Sequence, residues 1–319
     1  MKRDRFLTGR YIAFFFLTPA LALIIVFYLI PLILSIYISF TPLRDWRIDK
    51  YMFDLGNPLQ NYQDLFYLVT HDPDTWKVVL TTIVFTLVTL AINVFGGLGL
   101  ALAAYLMEEG VSTFYRTLWL LPRMTPIAVY SLLWYYFFHG SGQGILNSAL
   151  QALGVIDEPI GWGTDPRVLP WGAWMVIIYV NGLVGVSFGM VIFYSAFRSL
   201  PRERVIAARV DGVTTLQLVR YILIPSIRWH LVFVTVWQLL SLLTTYAHIF
   251  LLVEWNLVDR WWSTTWALFV FNTAFTGVLN QGLAAAAATI LVAIGVCLGL
   301  LTLKLLGYQR MMIEPKGEI

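Results

Sequence analysis

Two runs of thirty residues without a charged side chain, 11–40 and 78–107, constrain the fold of this chain more than any other feature. A helix needs roughly 20 apolar residues to cross about 30 Å of hydrocarbon, so each run is long enough for one membrane-spanning helix. Charged residues make up only 12% of the chain, against about 25% in soluble domains. The sequence therefore predicts an all-α, polytopic membrane protein rather than a soluble enzyme.

Four more apolar segments complete a prediction of six membrane spans. They lie at 117–138, 168–197, 231–253 and 283–303. The last of them belongs to a charge-free run of 43 residues, 261–303, which is long enough for two spans. Because the first part of that run carries several amide and hydroxyl side chains, we interpret 261–282 as a segment on the outer surface. We expect residues 1–319 to form a single transmembrane domain.

The first apolar run has an alternative interpretation as a cleavable signal peptide. Basic residues precede it, and Ala20-Leu21-Ala22 resembles a cleavage site. A signal peptide has an apolar core of about 7 to 15 residues, whereas this run continues for eighteen residues beyond Ala22. We therefore expect the run to be retained as the first span.

Basic residues are distributed unevenly over the predicted loops. With six spans, 14 Lys and Arg side chains fall in inner segments, six fall in outer segments, and Arg123 lies within the third span. Loops rich in Lys and Arg remain on the cytoplasmic side of a membrane. We therefore expect a multi-pass protein of the cytoplasmic (inner) membrane with both termini in the cytoplasm. Membrane lipid, not nucleic acid, is the expected partner of its positive charge.

The six predicted spans contain no Asp or Glu. Ion-coupled transporters commonly bind protons or sodium through buried carboxylates, so this absence disfavours a secondary transporter, which stays an alternative. No catalytic motif, phosphate-binding loop or metal-ligand pattern occurs in the sequence. We therefore expect a chain that is not an enzyme and that has no catalytic residue, metal site or cofactor of its own.

One inner loop, 198–228, combines charged with apolar residues. Ser199 can cap a first helix, and Gly212 can supply the left-handed geometry that ends this helix. Thr214, or the threonine after it, can cap a second helix, which we expect to end before Pro225. The apolar side chains of this hairpin must be buried. On physical grounds it fits equally well an amphipathic pair on the inner leaflet and a knob that docks into a soluble partner.

The hairpin also carries a set of residues with a familiar order: Ala207, Ala208, Asp211, Gly212, Ile222 and Pro225. In this order the hairpin resembles the cytoplasmic EAA loop of binding-protein-dependent ABC importer permeases, whose pattern is roughly E-A-A-x-x-D-G-A followed by F-x-x-I-x-L-P. Shorter matches extend along nearly the whole chain and resemble the MalF-type subunits of carbohydrate importers. The resemblance implies that the loop docks into an ATPase. The partners that it implies are a second homologous permease subunit, two ATPase subunits that bind ATP and Mg, and an extracytoplasmic substrate-binding protein.

The sequence departs from the family pattern at three loop positions. The motif glutamate is replaced by Ile206, the third motif alanine by Val213 and the motif phenylalanine by Val219. Glu203, three positions earlier on a neighbouring helix face, is our candidate to replace the motif glutamate. The Gly-Gly-Gly-Pro stretch that is common after the fifth span is replaced by 254–257. The residues expected to couple to the ATPase are Glu203, Ile206, Ala207, Ala208, Asp211, Gly212 and Pro225.

Polar residues within the spans indicate a substrate path, because they are costly in lipid and should face protein or water. The residues expected along this path are Asn181, Gly185, Phe188, Gln238, Ser241, Thr245 and Arg123. The resemblance suggests Asn181, Gly185 and Phe188. Gln238, Ser241 and Thr245 form one stripe at helical spacing. Arg123 is the lone charge in the third span. Amides, hydroxyls and an aromatic ring suit a sugar. The alternative is that these groups only hydrogen-bond neighbouring helices.

Together these features predict a permease subunit of an ATP-driven ABC importer. With a second permease it would form the translocation path for a sugar or sugar derivative. The same machinery could instead import glycerol phosphate, a polyol or another small polar solute. An ion-coupled secondary transporter is the alternative from a different class.

Overall fold

A computed structural model describes residues 4–306 of the 319-residue chain, with side chains described from residue 14 onward. Within that range the chain is helical and contains no β-strand, which confirms the predicted all-α class. Five helices among the described residues are long and apolar enough to cross a membrane: Phe14–Ile38, Pro73–Leu106, Trp171–Arg198, Arg228–Glu254 and Gln281–Leu305. They coincide with the predicted first, second, fourth, fifth and sixth spans, and they keep those names below.

The predicted third span, 117–138, is not one continuous helix. The structure has two helices there, Glu109–Met124 and Ile127–Phe138, with an extended residue, Thr125 (ψ 132°), between them. Thr125 precedes Pro126, and the proline ring excludes the helical conformation of the residue before it. The predicted third span therefore consists of two helices rather than one, for a reason that the sequence itself carries.

Shorter helices and π-helical turns make up the rest of the helical structure in the described part of the chain. The shorter helices are Ile48–Tyr51, Gln60–His71, Ile145–Ala152, Arg202–Val210, Thr215–Leu218, Ile224–Ser226, Arg260–Ser263 and Trp266–Phe271. The π-helical turns are Ile25–Leu29, Ile92–Gly96, Val219–Leu223 and Asn272–Thr276. The segment 261–282, which we interpreted as lying on the outer surface, therefore contains its own short apolar helix.

The chain divides into two compact units, one formed by 1–68 with 270–290 and the other by 69–269 with 291–319. In the first unit the buried side chain of Asn61 donates to the carbonyl oxygens of Ser39 (2.9 Å) and Thr41 (2.8 Å). A Cβ at Gly282 would overlap the carbonyl oxygen of Thr41. Asn61 therefore holds helix Gln60–His71 against the residues after the first span, and the Gly282 N–H, which donates to the carbonyl oxygen of Leu43 (2.8 Å), holds the start of the sixth span against the same segment.

The fourth span lies at the centre of the second unit and packs against the second span, the fifth span and helix Glu109–Met124. Its close approach to the second span depends on glycine, since a Cβ on Gly97 would lie 2.8 Å from the Cα atom of Gly189. Small residues at such positions let two membrane helices pack backbone to backbone.

Local sequence determines where the second span begins and where the fifth is interrupted. The Asp72 carboxylate caps the second span by accepting hydrogen bonds from the hydroxyl (2.6 Å) and backbone N–H (2.9 Å) of Thr75. The hydroxyl bond from Thr75 is the main cause that lowers the pKa of Asp72. The fifth span consists of helices Arg228–Leu243 and Ala247–Glu254, separated by three residues that are not helical.

Candidate functional site

The first helix of the inner hairpin is Arg202–Val210. Ser199 does not cap it, because its hydroxyl donates to the carbonyl oxygen of Ala196 (2.8 Å) at the end of the fourth span. The residue at the cap position is Pro201, which makes no side-chain cap bond. The predicted Ser199 cap is therefore wrong. Glu203 lies in the first turn, where its negative charge suits the helix dipole.

The corner of the hairpin has the predicted geometry. Gly212 has φ +77°, a conformation that side chains other than glycine seldom adopt. Thr214 caps the second helix through a capping box: its backbone N–H donates to Gln217 Oε1 (2.9 Å), and the Gln217 N–H donates to Thr214 Oγ1 (3.4 Å). We expected the helical path to end before Pro225, and it does not. It continues through Val219–Leu223 to Ile224–Ser226, whose first turn tolerates a residue without an N–H.

The two faces of the hairpin have different surroundings. Ala208 and Leu218 are buried and belong to the core cluster that contains Phe197 of the fourth span. On the opposite side the large apolar side chains of Ile206 and Val210 are 59% and 81% exposed. The other exposed residues of the expected coupling set are Glu203, Ala207, Asp211, Gly212 and Pro225. The hairpin is therefore anchored by one face and presents an apolar surface, rimmed by charge, on the other.

The structure brings together two of the expected path residues, Arg123 and Phe188. The guanidinium carbon of Arg123 lies 5.0 Å from the ring centroid of Phe188, within cation–π range. Trp237 stacks on the same Phe188 ring (6.2 Å, 23°), and Phe233 stacks on Trp237 (6.2 Å, 26°). We call Arg123, Phe188, Trp237 and Phe233 the aromatic row.

The aromatic row lies on the exposed side of the second unit. Trp237 is 55% exposed, Phe233 and Arg123 are exposed, and Phe188 is half-buried. Trp237 and Phe233 were not predicted from the sequence. The available signal was their spacing of four residues, which puts them on one helix face next to the polar stripe.

Gln238 faces the opposite way, into the bundle. Its Nε2 donates to the carbonyl oxygen of Gly185 (2.8 Å), and its Oε1 accepts from Asn93 Nδ2 (3.2 Å). Asn93 is fully buried in the π-helical turn Ile92–Gly96. A Cβ on Gly185 would overlap the Asn93 amide. Asn93 was not predicted from the sequence, although it is the only amide side chain in the charge-free run 78–107. Asn181 is also buried.

The expected stripe of Gln238, Ser241 and Thr245 does not share one environment. Gln238 is buried, Ser241 is exposed and Thr245 is half-buried. The Thr245 hydroxyl donates to the Ser241 carbonyl oxygen (2.8 Å), one turn back, at the interruption of the fifth span. Of these three residues, only Ser241 lies on the same exposed side of the helix as Trp237, which precedes Ser241 by four residues. Among residues 4–306, no group of three or more His, Cys, Asp or Glu side chains is placed to hold a metal ion.

These features define a multi-pass membrane protein with a glycine-cornered hairpin, buried amides between its spans and an exposed aromatic row. Residues 96–306 match the family described as "Binding-protein-dependent transport system inner membrane component". The match covers well over half of the chain, so the protein belongs to that family. It is a permease subunit of an ABC importer and not an enzyme. The predicted resemblance to carbohydrate importer permeases is confirmed.

Individual relatives extend the match over nearly the whole chain. The chain is 27% identical over 279 residues to the "Lactose transport system permease protein LacF" of Rhizobium radiobacter, covering 87% of this chain and 88% of that protein. It is 25% identical over 305 residues to the "Sulfoquinovosyl glycerol transport system permease protein SmoG" of Agrobacterium fabrum, covering 94% and 92%. A crystal structure of a bacterial alginate ABC transporter with a periplasmic protein contains a chain of the same fold. Its TM-score is 0.74, at 17% identity, covering 95% of this chain and 96% of that one.

Proposed function

We propose that this permease forms, with a second homologous permease subunit, the translocation path for a sugar or sugar derivative. The observation that carries the proposal is the aromatic row on the exposed side of the bundle. The relatives' cargoes support it, since their names refer to lactose, sulfoquinovosyl glycerol and alginate.

The aromatic row suits a path because it combines a cation with open ring surface. A charged side chain within a membrane span is tolerated where it faces protein or water, so Arg123 argues against lipid on this side. Ring faces such as that of Trp237 pack against the C–H faces of a sugar, and the Ser241 hydroxyl lies one turn further along the same helix face. In this proposal Asn181, Gly185, Gln238 and Thr245 support the wall of the path from its buried side.

An anionic cargo is the second candidate. Arg123 supplies a cation in the row, and the chain is 23% identical over 219 residues to the "sn-glycerol-3-phosphate transport system permease protein UgpA" of Shigella dysenteriae. A phosphate group would accept strong, charge-assisted hydrogen bonds from the guanidinium, whereas the hydroxyl groups of a neutral sugar accept weaker ones. Uptake of glycerol 3-phosphate in preference to every neutral sugar would favour this candidate.

The inner hairpin is the proposed contact with the ATPase. Two ATPase subunits would bind ATP and Mg and would each engage one permease. Exposed apolar side chains such as Ile206 and Val210 would be buried there. Removing their apolar surface from water favours docking. Glu203, one turn before Ile206, would supply the polar contact that the motif glutamate makes in the family pattern.

The proposed orientation follows from the basic residues. The hairpin and both termini would lie in the cytoplasm, and the binding protein would dock on the opposite face of the inner membrane. Residues 1–319 would then act as one ABC importer transmembrane domain, although the chain divides into two compact units.

Uptake by the reconstituted importer tests the proposal. The permease pair, the ATPase and the binding protein are placed in proteoliposomes, and uptake of radiolabelled lactose, other oligosaccharides and glycerol 3-phosphate is measured. We expect uptake of a sugar that requires ATP and the binding protein and that an imposed proton gradient cannot replace. Uptake driven by the gradient without ATP would contradict the proposal and favour the secondary transporter.

A further inference from the structure

A small cavity lies at one end of the second unit, apart from the aromatic row and the hairpin. It occupies about 190 Å³. Its walls come from the end of helix Ile127–Phe138, from the loop around 161–164 and from the turn 254–257 after the fifth span. That turn is the stretch where the sequence departs from the Gly-Gly-Gly-Pro pattern. We call this cavity the outer pocket; its side chains used below are Tyr135, His139, Trp162, Thr164, Trp255 and Asn256.

The walls of the outer pocket are held by a buried amide. Asn147 is fully buried, and its Nδ2 donates to the carbonyl oxygens of His139 (3.1 Å) and Ile160 (2.9 Å). Its Oδ1 accepts from Trp162 Nε1 (3.0 Å). A further hydrogen bond, from the Asp259 N–H to the carbonyl oxygen preceding Thr164 (2.7 Å), joins the loop to the turn. The pocket is therefore formed before any ligand arrives, which lowers the entropic cost of binding.

Several residues that line the outer pocket carry polar side-chain groups. They are the Tyr135 hydroxyl, the Thr164 hydroxyl and the Asn256 amide. His139 adds a fourth group: its Nδ1 contacts the Ser141 hydroxyl (2.9 Å) and N–H (3.3 Å), and its Nε2 is a second ring nitrogen, which donates or accepts according to the tautomer. One small cavity thus offers both hydrogen-bond donors and acceptors.

Aromatic rings supply the rest of the surface. Tyr135 lies edge to face with Trp255 (centroids 5.8 Å apart) and with His139 (5.0 Å). Because Trp162 already donates its Nε1–H to Asn147, Trp162 can offer a ligand only its ring surface. Among the residues that the structure describes, no Asp, Glu, Lys or Arg lines the pocket. This combination suits a ligand with apolar C–H faces and several neutral hydroxyl groups.

The size of the outer pocket limits the ligand to a single ring. Pockets for drug-sized ligands have volumes of roughly 300–1,000 Å³, and this one has about 190 Å³. We propose that the outer pocket binds one neutral pyranose ring of a saccharide at the extracytoplasmic mouth of the permease. This proposal rests on the proposed function for its sugar cargo and its orientation.

Binding of simple glycosides tests the proposal. The assembled permease pair with its ATPase is placed in nanodiscs of phospholipids without sugar headgroups. Saturation-transfer NMR then measures binding of the methyl glycopyranosides of glucose, galactose, mannose and xylose. We expect at least one of them to bind saturably.

Two conservative variants assign the binding to the outer pocket. Tyr135→Phe removes only a hydroxyl. Asn256→Gly removes the amide while keeping the left-handed backbone (φ 53°) that the turn requires. We expect each to raise the Kd of the bound glycoside roughly threefold to tenfold, the range for one uncharged hydrogen bond. Tyr136→Phe, next in sequence but outside the pocket, is the matched control and should leave the Kd unchanged. Trp237→Ala reports whether the measured binding comes from the aromatic row instead.

Three results would overturn the proposal. The first is that none of the four glycosides binds saturably. The second is that the Kd responds to Trp237→Ala but to neither pocket variant. The third is that Tyr135→Phe weakens binding of the sugar-free binding protein but leaves the Kd of every bound glycoside unchanged, since the occupant of the pocket would then be a protein side chain. ATP-driven sugar uptake is measured separately, so the proposed function can stand when the pocket proposal fails.

Discussion

Gln238 of the fifth span donates its side-chain amide to the backbone carbonyl oxygen of Gly185 in the fourth span, at 2.8 Å. The same side chain accepts from Asn93 of the second span, so one amide connects three spans. Gln238 is only 5% exposed, and Asn93 Oδ1 is buried without a partner among the described residues. Hydrogen bonds between helices in an apolar interior fix their relative rotation. This amide cluster therefore determines which side of the fifth span Trp237 presents.

The first prediction concerns the space beside Gly185. Gly185→Ala would drive its methyl group into the Asn93 amide and should destabilise the permease by about 1–3 kcal/mol, the usual cost of overpacking. Thermal unfolding of the purified protein in detergent measures the loss. Gly99→Ala is the matched control, because a Cβ there meets nothing within 4 Å. Equal unfolding temperatures for the two variants would show that the cluster can rearrange freely.

The second prediction separates the path from its support. Gln238→Ala leaves the Asn93 amide unpaired and should lower stability by roughly 1–3 kcal/mol. Trp237→Ala removes an exposed ring and should reduce sugar uptake at least tenfold with an unchanged unfolding temperature. Phe95→Ala, at a 73% exposed aromatic position outside the row, should leave both quantities unchanged. Normal uptake by the Trp237 variant would remove the row from the path.

The existence of the spans was predictable from sequence because it depends on local composition. A charge-free run of thirty residues has few alternatives to crossing a membrane, and the Gly212 corner follows from the conformational freedom of glycine. The break at Thr125 was also present in the sequence, since a proline follows that residue, but an apolar average over a window conceals it. Composition predicts where helices lie more reliably than it predicts where they are interrupted.

The candidate site was less predictable because it depends on contacts between helices. The sequence does not state that Arg123 lies against Phe188, or that Asn93 and Gln238 meet across 145 positions of chain. Helical spacing grouped Gln238, Ser241 and Thr245 into one stripe, but these three side chains do not share one environment. It could not decide that Gln238 faces inward while Trp237, the adjacent residue, faces outward, since that depends on which neighbour occupies each side.

The third prediction tests the corner of the hairpin. Gly212→Val places a β-branched side chain at φ +77° and should cost roughly 1 kcal/mol or more in the hairpin. We expect the variant to insert into membranes normally but to lose co-purification with the ATPase or substrate-stimulated ATP hydrolysis. Gly212→Asn is the control, because asparagine tolerates the left-handed region. Coupled transport at the normal rate in the valine variant would contradict docking through this hairpin.

The fourth prediction concerns the missing motif glutamate. If Glu203 takes its place, Glu203→Ala should weaken ATPase binding at least fivefold, whereas Arg202→Ala, the exposed neighbour in the same helical turn, should have little effect. Affinity is measured with the purified ATPase and permease complexes in nanodiscs. Small and equal effects would mean that the contact is absent on this permease and is made by its partner.

The fifth prediction is topological, and it tests the orientation on which the coupling and binding-protein proposals depend. Single cysteines are introduced at Asp49, Asp157 and Arg202 in a Cys297→Ala background, which removes the native thiol. All three positions are exposed, so a difference in labelling reports the side of the membrane rather than burial. A membrane-impermeant maleimide applied to intact cells should label Asp49→Cys and Asp157→Cys. Arg202→Cys should react only after the membrane is opened, because the arginines of the hairpin keep it in the cytoplasm. Labelling of Arg202→Cys in intact cells would place the hairpin outside, where no cytoplasmic ATPase could reach it.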